Sequence, residues 1–141
     1  MIEEIKALVD KELPLVSNLS NVSAVINKMD NLNWCGFYLV KGETLYLGPF
    51  QGDVACTVIP FGKGVCGEAA LKKDTIIVGN VLECKNHIAC SSLSRSEIVV
   101  PIIKSDKVVA VIDLDSPIFN RFTENEKKEL EEVAKILSDL F

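Results

Sequence analysis

The spacing of apolar positions changes several times along the chain, and each change marks an element. Ile2, Ile5, Leu8 and Val9 recur three and four apart, which predicts a helix over residues 2–12. Leu19, Val22, Val25 and Ile26 form a second stripe and predict a helix over 17–29. The period then shortens. Residues 34–40 and 44–47 read as two strands of a hairpin that turns at Lys41-Gly42-Glu43. A short strand over 55–59 ends at Pro60. Gly62, Gly64 and Gly67 punctuate a turn, and residues 65–72 predict a short helix. A strand over 75–78 precedes a polar stretch, 79–95, that reads as a long loop. Residues 97–103 and 107–114 predict two strong strands joined at Ser105-Asp106. The last helix is the clearest. Thr123 caps it, Glu126 completes a capping box, and Leu130, Val133, Ala134, Leu137 and Leu140 line one face.

Helices at both chain ends around mostly antiparallel strands predict an α+β fold in a single domain over residues 1–141. Its N- and C-terminal helices pack on one face of a central sheet, and a ligand pocket lies under loops on the other.

Composition narrows the function. The 141 residues suit one domain with its own core, and 48% hydrophobic with 25% charged residues is the balance of a soluble globular protein. A net charge of −5 argues against nucleic acid and anionic membranes, since phosphate binding needs a basic surface. No apolar run approaches a membrane span, and the acidic start differs from a signal peptide, so a cytoplasmic location is expected. In that reducing setting the five cysteines, Cys35, Cys56, Cys66, Cys84 and Cys90, read as packing or reactive groups rather than structural disulfides. There is no CxxC and no paired short-spaced ligand set, so no metal and no cofactor is expected.

Alternation along 107–115 puts Val109, Val111, Asp113 and Asp115 on one face and Val108, Ala110, Ile112 and Leu114 on the other. The apolar face should meet the helices and the carboxylates should look into the loop-covered side, with Glu97 on the neighbouring strand. Clustered carboxylates repel one another, which raises at least one pKa and leaves a proton donor at neutral pH. The competing reading is that Asp113 and Asp115 only end a strand and face water. Cys90 sits in a polar segment with the sole histidine, His87, as a nucleophile or as a buried loop anchor. Cys66 follows a Gly-rich turn, where a helix N-terminus would stabilise a thiolate. Trp34 and Tyr38, four apart on a strand, share a side as an aromatic wall or as plain core; Cys35 faces away and reads as packing.

These segments resemble the free methionine-(R)-sulfoxide reductases, a family on the GAF fold. The matching stretches are Trp34-Cys-Gly-Phe-Tyr38, Gly48-Pro-Phe-Gln-Gly52, Ala55-Cys56, Gly64-Val-Cys-Gly-Glu-Ala-Ala70, His87-Ile-Ala-Cys90, Ser94-Arg-Ser-Glu-Ile-Val-Val-Pro101 and Val111-Ile-Asp-Leu-Asp-Ser116. The resemblance implies Cys90 as the nucleophile, Cys56 and Cys66 as resolving thiols, and Glu97, Asp113 and Asp115 as the pocket carboxylates. It implies that Trp34 and Tyr38, with Ile88 and Ala89 beside Cys90, hold the substrate, free methionine sulfoxide. It also implies recycling by thioredoxin or a similar dithiol. Lys85-Asn86 stands where the family usually has Pro-Gly, Ser91 where it has Asp, and Cys84 is an additional thiol. A non-catalytic GAF sensor or redox switch is the alternative. The two N-terminal segments could also pair helices across a homodimer.

Overall fold

The computed structural model describes residues 1–84 and 92–141. Its strands are β1 (Trp34–Lys41), β2 (Thr44–Gly52), β3 (Val58–Pro60), β4 (Ile76–Val78), β5 (Ser96–Lys104) and β6 (Lys107–Ser116). They form one antiparallel sheet in the order β3-β2-β1-β6-β5-β4. The β5–β6 hairpin turns on Ser105 and Asp106, both with positive φ (52° and 65°), as a two-residue turn between twisted strands requires.

Helices α1 (Ile2–Leu8), α2 (Leu15–Ile26) and α4 (Glu124–Ser138) cover one face. Leu19, Val22 and Ile26 of α2 and Leu130, Val133 and Leu137 of α4 pack on Phe37, Ile98, Ile102, Ile112 and Leu114 of the sheet, all essentially inaccessible to solvent. The capping box of α4 is formed: the Thr123 hydroxyl accepts from Asn125 N–H at 3.3 Å, and the Thr123 N–H donates to Glu126 Oε1 at 2.6 Å. The other face carries α3 (Gly64–Lys72), whose Val65, Cys66, Ala69 and Ala70 pack on Trp34, Tyr38, Val99 and Val111. This side is therefore covered by a helix as well as by loops.

Several predicted boundaries move, each for a visible reason. The first helix stops at Leu8 rather than residue 12. Asn18 of α2 clamps the Asp10 backbone, accepting from its N–H at 3.0 Å and donating to its carbonyl at 2.9 Å. The second helix starts two residues early, at Leu15 behind Pro14, and ends at Ile26. Of the strand expected over 55–59 only Val58 and Ile59 lie in β3, which runs on to Pro60. Conversely, β2 runs to Gly52 through a bulge: Gly36 faces Phe50 but Tyr38 faces Leu47, which leaves one extra residue at Gly48-Pro49. Val81–Glu83 within the predicted loop forms a 3-10 turn capped by Asn80.

A second bulge corrects the face assignment on β6. Ile102 faces Ala110 while Ile103 faces Val108, so Val109 is the extra residue. Before the bulge the alternation is inverted: Val108 joins the α3 side and Val109 packs on the helix-covered core. Beyond it, Ala110, Ile112 and Leu114 face the helices, and Val111, Asp113 and Asp115 face the other way, as expected.

Gly36 lets β1 and β2 approach: an added Cβ would lie 2.3 Å from Phe50 Cβ and 2.9 Å from the Pro49 carbonyl oxygen. Gly36→Ala should therefore cost about 2 kcal/mol or more, lowering Tm by roughly 6 °C. Thermal unfolding followed by circular dichroism checks this, and an unchanged Tm would show that the strands can part without penalty.

Candidate active site

Strand register builds the site. Asp115 lies between Trp34 of β1 and Glu97 of β5, both directly opposite it, and Asp113 lies between Gly36 and Val99. Gly36 has no side chain, and Phe50 of β2 takes the place a side chain would need, with an added Cβ only 2.3 Å from Phe50 Cβ. Asp113 and Glu97 are each 5% exposed, and Asp115 is partly buried. From the other side α3 brings Cys66, also buried, against them. The Cys66 Sγ and one oxygen each of Glu97 and Asp113 all lie within 4.8 Å of one another.

These groups line a partly enclosed pocket of about 580 Å³, mouth included, with Asn33, Trp34, Tyr38, Asp53, Val54, Ala55, Ile59, Val65 and Ser94. Its aromatic wall is a stack: Trp34 lies 6.0 Å from Tyr38 at 25° and 5.2 Å from Phe50 at 16°. Both polar tips are anchored to backbone. The Trp34 indole N–H donates to the Asp53 carbonyl at 3.1 Å, and the Tyr38 hydroxyl donates to the Cys56 carbonyl at 2.9 Å. Gly52, opposite Trp34 with φ +139°, makes room for the indole, because a Cβ there would meet Trp34 Cδ1 at 2.5 Å. The bond from Tyr38 also ties the segment carrying Cys56 to the pocket wall.

The electrostatics follow from burial of like charges. The Asp115 carboxyl is held well above the ordinary carboxylate range, first by burial and then by repulsion from Asp113; a hydrogen bond with Glu97 pulls the other way. A hydrogen bond between two carboxyls needs a proton between them, so this pair holds one. Cys66 does not behave as its helix position suggested. Burial raises its pKa well above 9.0, and Asp113, Glu97 and Asp115 raise it further, so Cys66 is a thiol that hydrogen-bonds to Asp113. The partial charge of a helix end is weaker than burial beside three acids. Cys35, on the far face, is pushed up to about 12 by burial and then by Asp113; its Sγ donates to the Ser23 carbonyl at 3.4 Å. It is a packing thiol.

The structure therefore brings together Trp34, Tyr38, Cys66, Glu97, Asp113 and Asp115. Cys56, half-buried, packs against the same apolar cluster, as does the additional thiol Cys84. Cys90, Ile88, Ala89 and His87, with the departures at 85, 86 and 91, lie outside the described residues. Sequence reasoning missed Asn33, Phe50, Asp53 and Ser94. Asn33, Asp53 and Ser94 lie just outside strands, where alternation says nothing; Phe50 lies beyond the Gly48-Pro49 bulge, a signal that could have extended β2. Among the described residues no helix is long and apolar enough to cross a membrane.

The GAF domain family matches residues 19–141. The chain is 45% identical over 142 residues to the free methionine-R-sulfoxide reductase of Saccharomyces cerevisiae, covering 94% of this chain and 79% of that one. It is 39% identical over 132 residues to the Escherichia coli protein of the same name, covering 93% and 80%. The fold superposes on the free methionine-R-sulfoxide reductase of Neisseria meningitidis, solved with its substrate, with a TM-score of 0.94 and 44% identity over 99% of this chain and 85% of that one. A single domain of this fold, with that identity along nearly its whole length, belongs to the GAF family and, within it, to the free methionine-R-sulfoxide reductases.

Proposed function

We propose that this protein reduces free L-methionine (R)-sulfoxide to methionine at this pocket, with Cys90 as nucleophile and the buried carboxyls as the proton source. The single observation that carries the reading is the buried cluster of Cys66, Glu97 and Asp113, with atoms within 4.8 Å of one another and Asp115 cross-strand from Glu97, in a pocket walled by Trp34 and Tyr38.

A sulfoxide oxygen leaves sulfur readily only when protonated or strongly hydrogen-bonded. Asp115, sharing a proton with Glu97, supplies that bond without first drawing a proton from solvent. Trp34 and Tyr38 offer apolar faces to the methyl end, and Phe50 stacks on Trp34. The Cys90 thiolate attacks the substrate sulfur and takes up its oxygen, so the thiol becomes a sulfenic acid and methionine departs. A second thiol, Cys66 or Cys56, condenses with the sulfenic acid; a disulfide forms and water leaves. An external dithiol such as thioredoxin reopens it and is itself oxidised. A neutral Cys66 is poorly suited to the first attack, since the thiolate is the nucleophile.

Reduced protein mixed with free methionine (R)-sulfoxide and no reductant should form methionine and lose about two thiols per methionine, read by thiol titration. A ligand-holding sensor would lose none. Cys90→Ser should slow methionine formation by at least about 1,000-fold, and near-normal turnover in that variant would contradict the assignment.

The acid pair has a second readout. An acid whose folded pKa lies above its unfolded value binds its proton more tightly when folded. Its contribution is complete below the unfolded value, 3.8 for Asp115, and is lost as pH rises through the folded one. Stability should therefore fall as pH rises above the ordinary carboxylate range. Asp115→Asn cannot ionise, so it should flatten that fall and raise Tm at neutral pH by about 3 °C or more. A variant no more stable than the parent at neutral pH would argue against a strained carboxyl there.

A further inference from the structure

We propose that Asn33 is a specificity-determining residue that reads the α-ammonium group of the free amino acid; this rests on the reductase reading above. Asn33 precedes β1 at the pocket wall, and its side chain is held in one orientation. Its backbone N–H donates to the Asp115 carbonyl at 3.0 Å, and its Nδ2 donates to the buried Ser94 hydroxyl oxygen at 3.1 Å. That leaves Oδ1, a buried acceptor with no hydrogen-bond partner among the described residues, on a group that lines the cavity. A buried carbonyl oxygen calls for a donor.

The surroundings select which donor. Among the described residues lining the pocket none is Lys or Arg, while Asp53 adds an exposed carboxylate at the mouth. An ammonium group offers three N–H donors and a positive charge, and it suits an amide oxygen in an acidic pocket. A methionine sulfoxide inside a peptide has only a neutral amide N–H at that atom, and its chain must continue outward. Asn33 would thus separate the free amino acid from bound forms, while Trp34 and the carboxyls handle the sulfoxide end.

The test compares free methionine (R)-sulfoxide with its N-acetyl derivative as substrates for the parent, Asn33→Leu and Asn33→Asp. Asn33→Leu keeps the shape and removes the acceptor. It should raise KM for the free substrate about 10- to 100-fold, leave kcat within about threefold, and shrink the preference over the N-acetyl form. Asn33→Asp retains an acceptor and should keep most of the preference. An unchanged preference in Asn33→Leu, or an equal loss on both substrates with kcat falling alongside, would overturn the proposal in favour of a purely structural role. Titration calorimetry with L-methionine and N-acetyl-L-methionine asks the same question without turnover. If the parent proved inactive on the sulfoxide, the reductase reading would fail by itself; loss of L-methionine binding in Asn33→Leu would still support the Asn33 contact, and unchanged binding would refute it.

Discussion

Three carboxyl groups held side by side, out of water, against a sheet that cannot move them apart is the constraint from which this site takes its chemistry. Strand register sets the separation. Glu97 and Asp115 are cross-strand partners, and Asp113 is two residues along the same face. Leaving all three ionised would cost on the order of several kcal/mol per ion in desolvation, with mutual repulsion added. The arrangement is tolerable only if protons stay. The Glu97–Asp115 hydrogen bond and the neutral Cys66 thiol beside Asp113 are two expressions of that one requirement. A pocket that must hold protons at neutral pH can lend one to a sulfoxide oxygen.

The rest of the domain keeps that row from relaxing. On the opposite face, Ile98, Ile112 and Leu114 alternate with the acids and are locked under α2 and α4, so the strands carrying the carboxyls cannot shift register without turning apolar residues into water. On the near face the indole of Trp34 and the hydroxyl of Tyr38 are tied to the Asp53 and Cys56 carbonyls. The aromatic wall and the cysteine segment are thereby tied together. Gly36 and Gly52 act by having no side chain: one lets Phe50 approach, and the other leaves room for the indole.

Much of this is legible in the order of residues because it depends on local period. The shared face of Asp113 and Asp115, the opposition of Cys35 to Trp34 and Tyr38, and the Thr123–Glu126 cap follow from spacings of one to four residues. What is not legible depends on contacts distant in sequence. The Asn18 clamp that stops α1 comes from another helix. The bulge at Val109 inverts the start of β6, and no alternation rule announces it. The thiolate expected for Cys66 assumed an exposed helix end; burial beside acids from β5 and β6 reverses the sign. Asn33, Asp53 and Ser94 reach the pocket from turns, where side-chain direction depends on backbone geometry rather than on a repeat.

The central claim is that a carboxyl in this row keeps its proton where ordinary carboxyls have lost theirs. The most direct measurement is a carbon-13 NMR titration of the aspartate side-chain carboxyls, with the Asp115 resonance assigned by its loss in Asp115→Asn. The account predicts that this resonance holds its protonated shift well above the ordinary aspartate range. A resonance that titrates near the ordinary value of about 3.9 would contradict it.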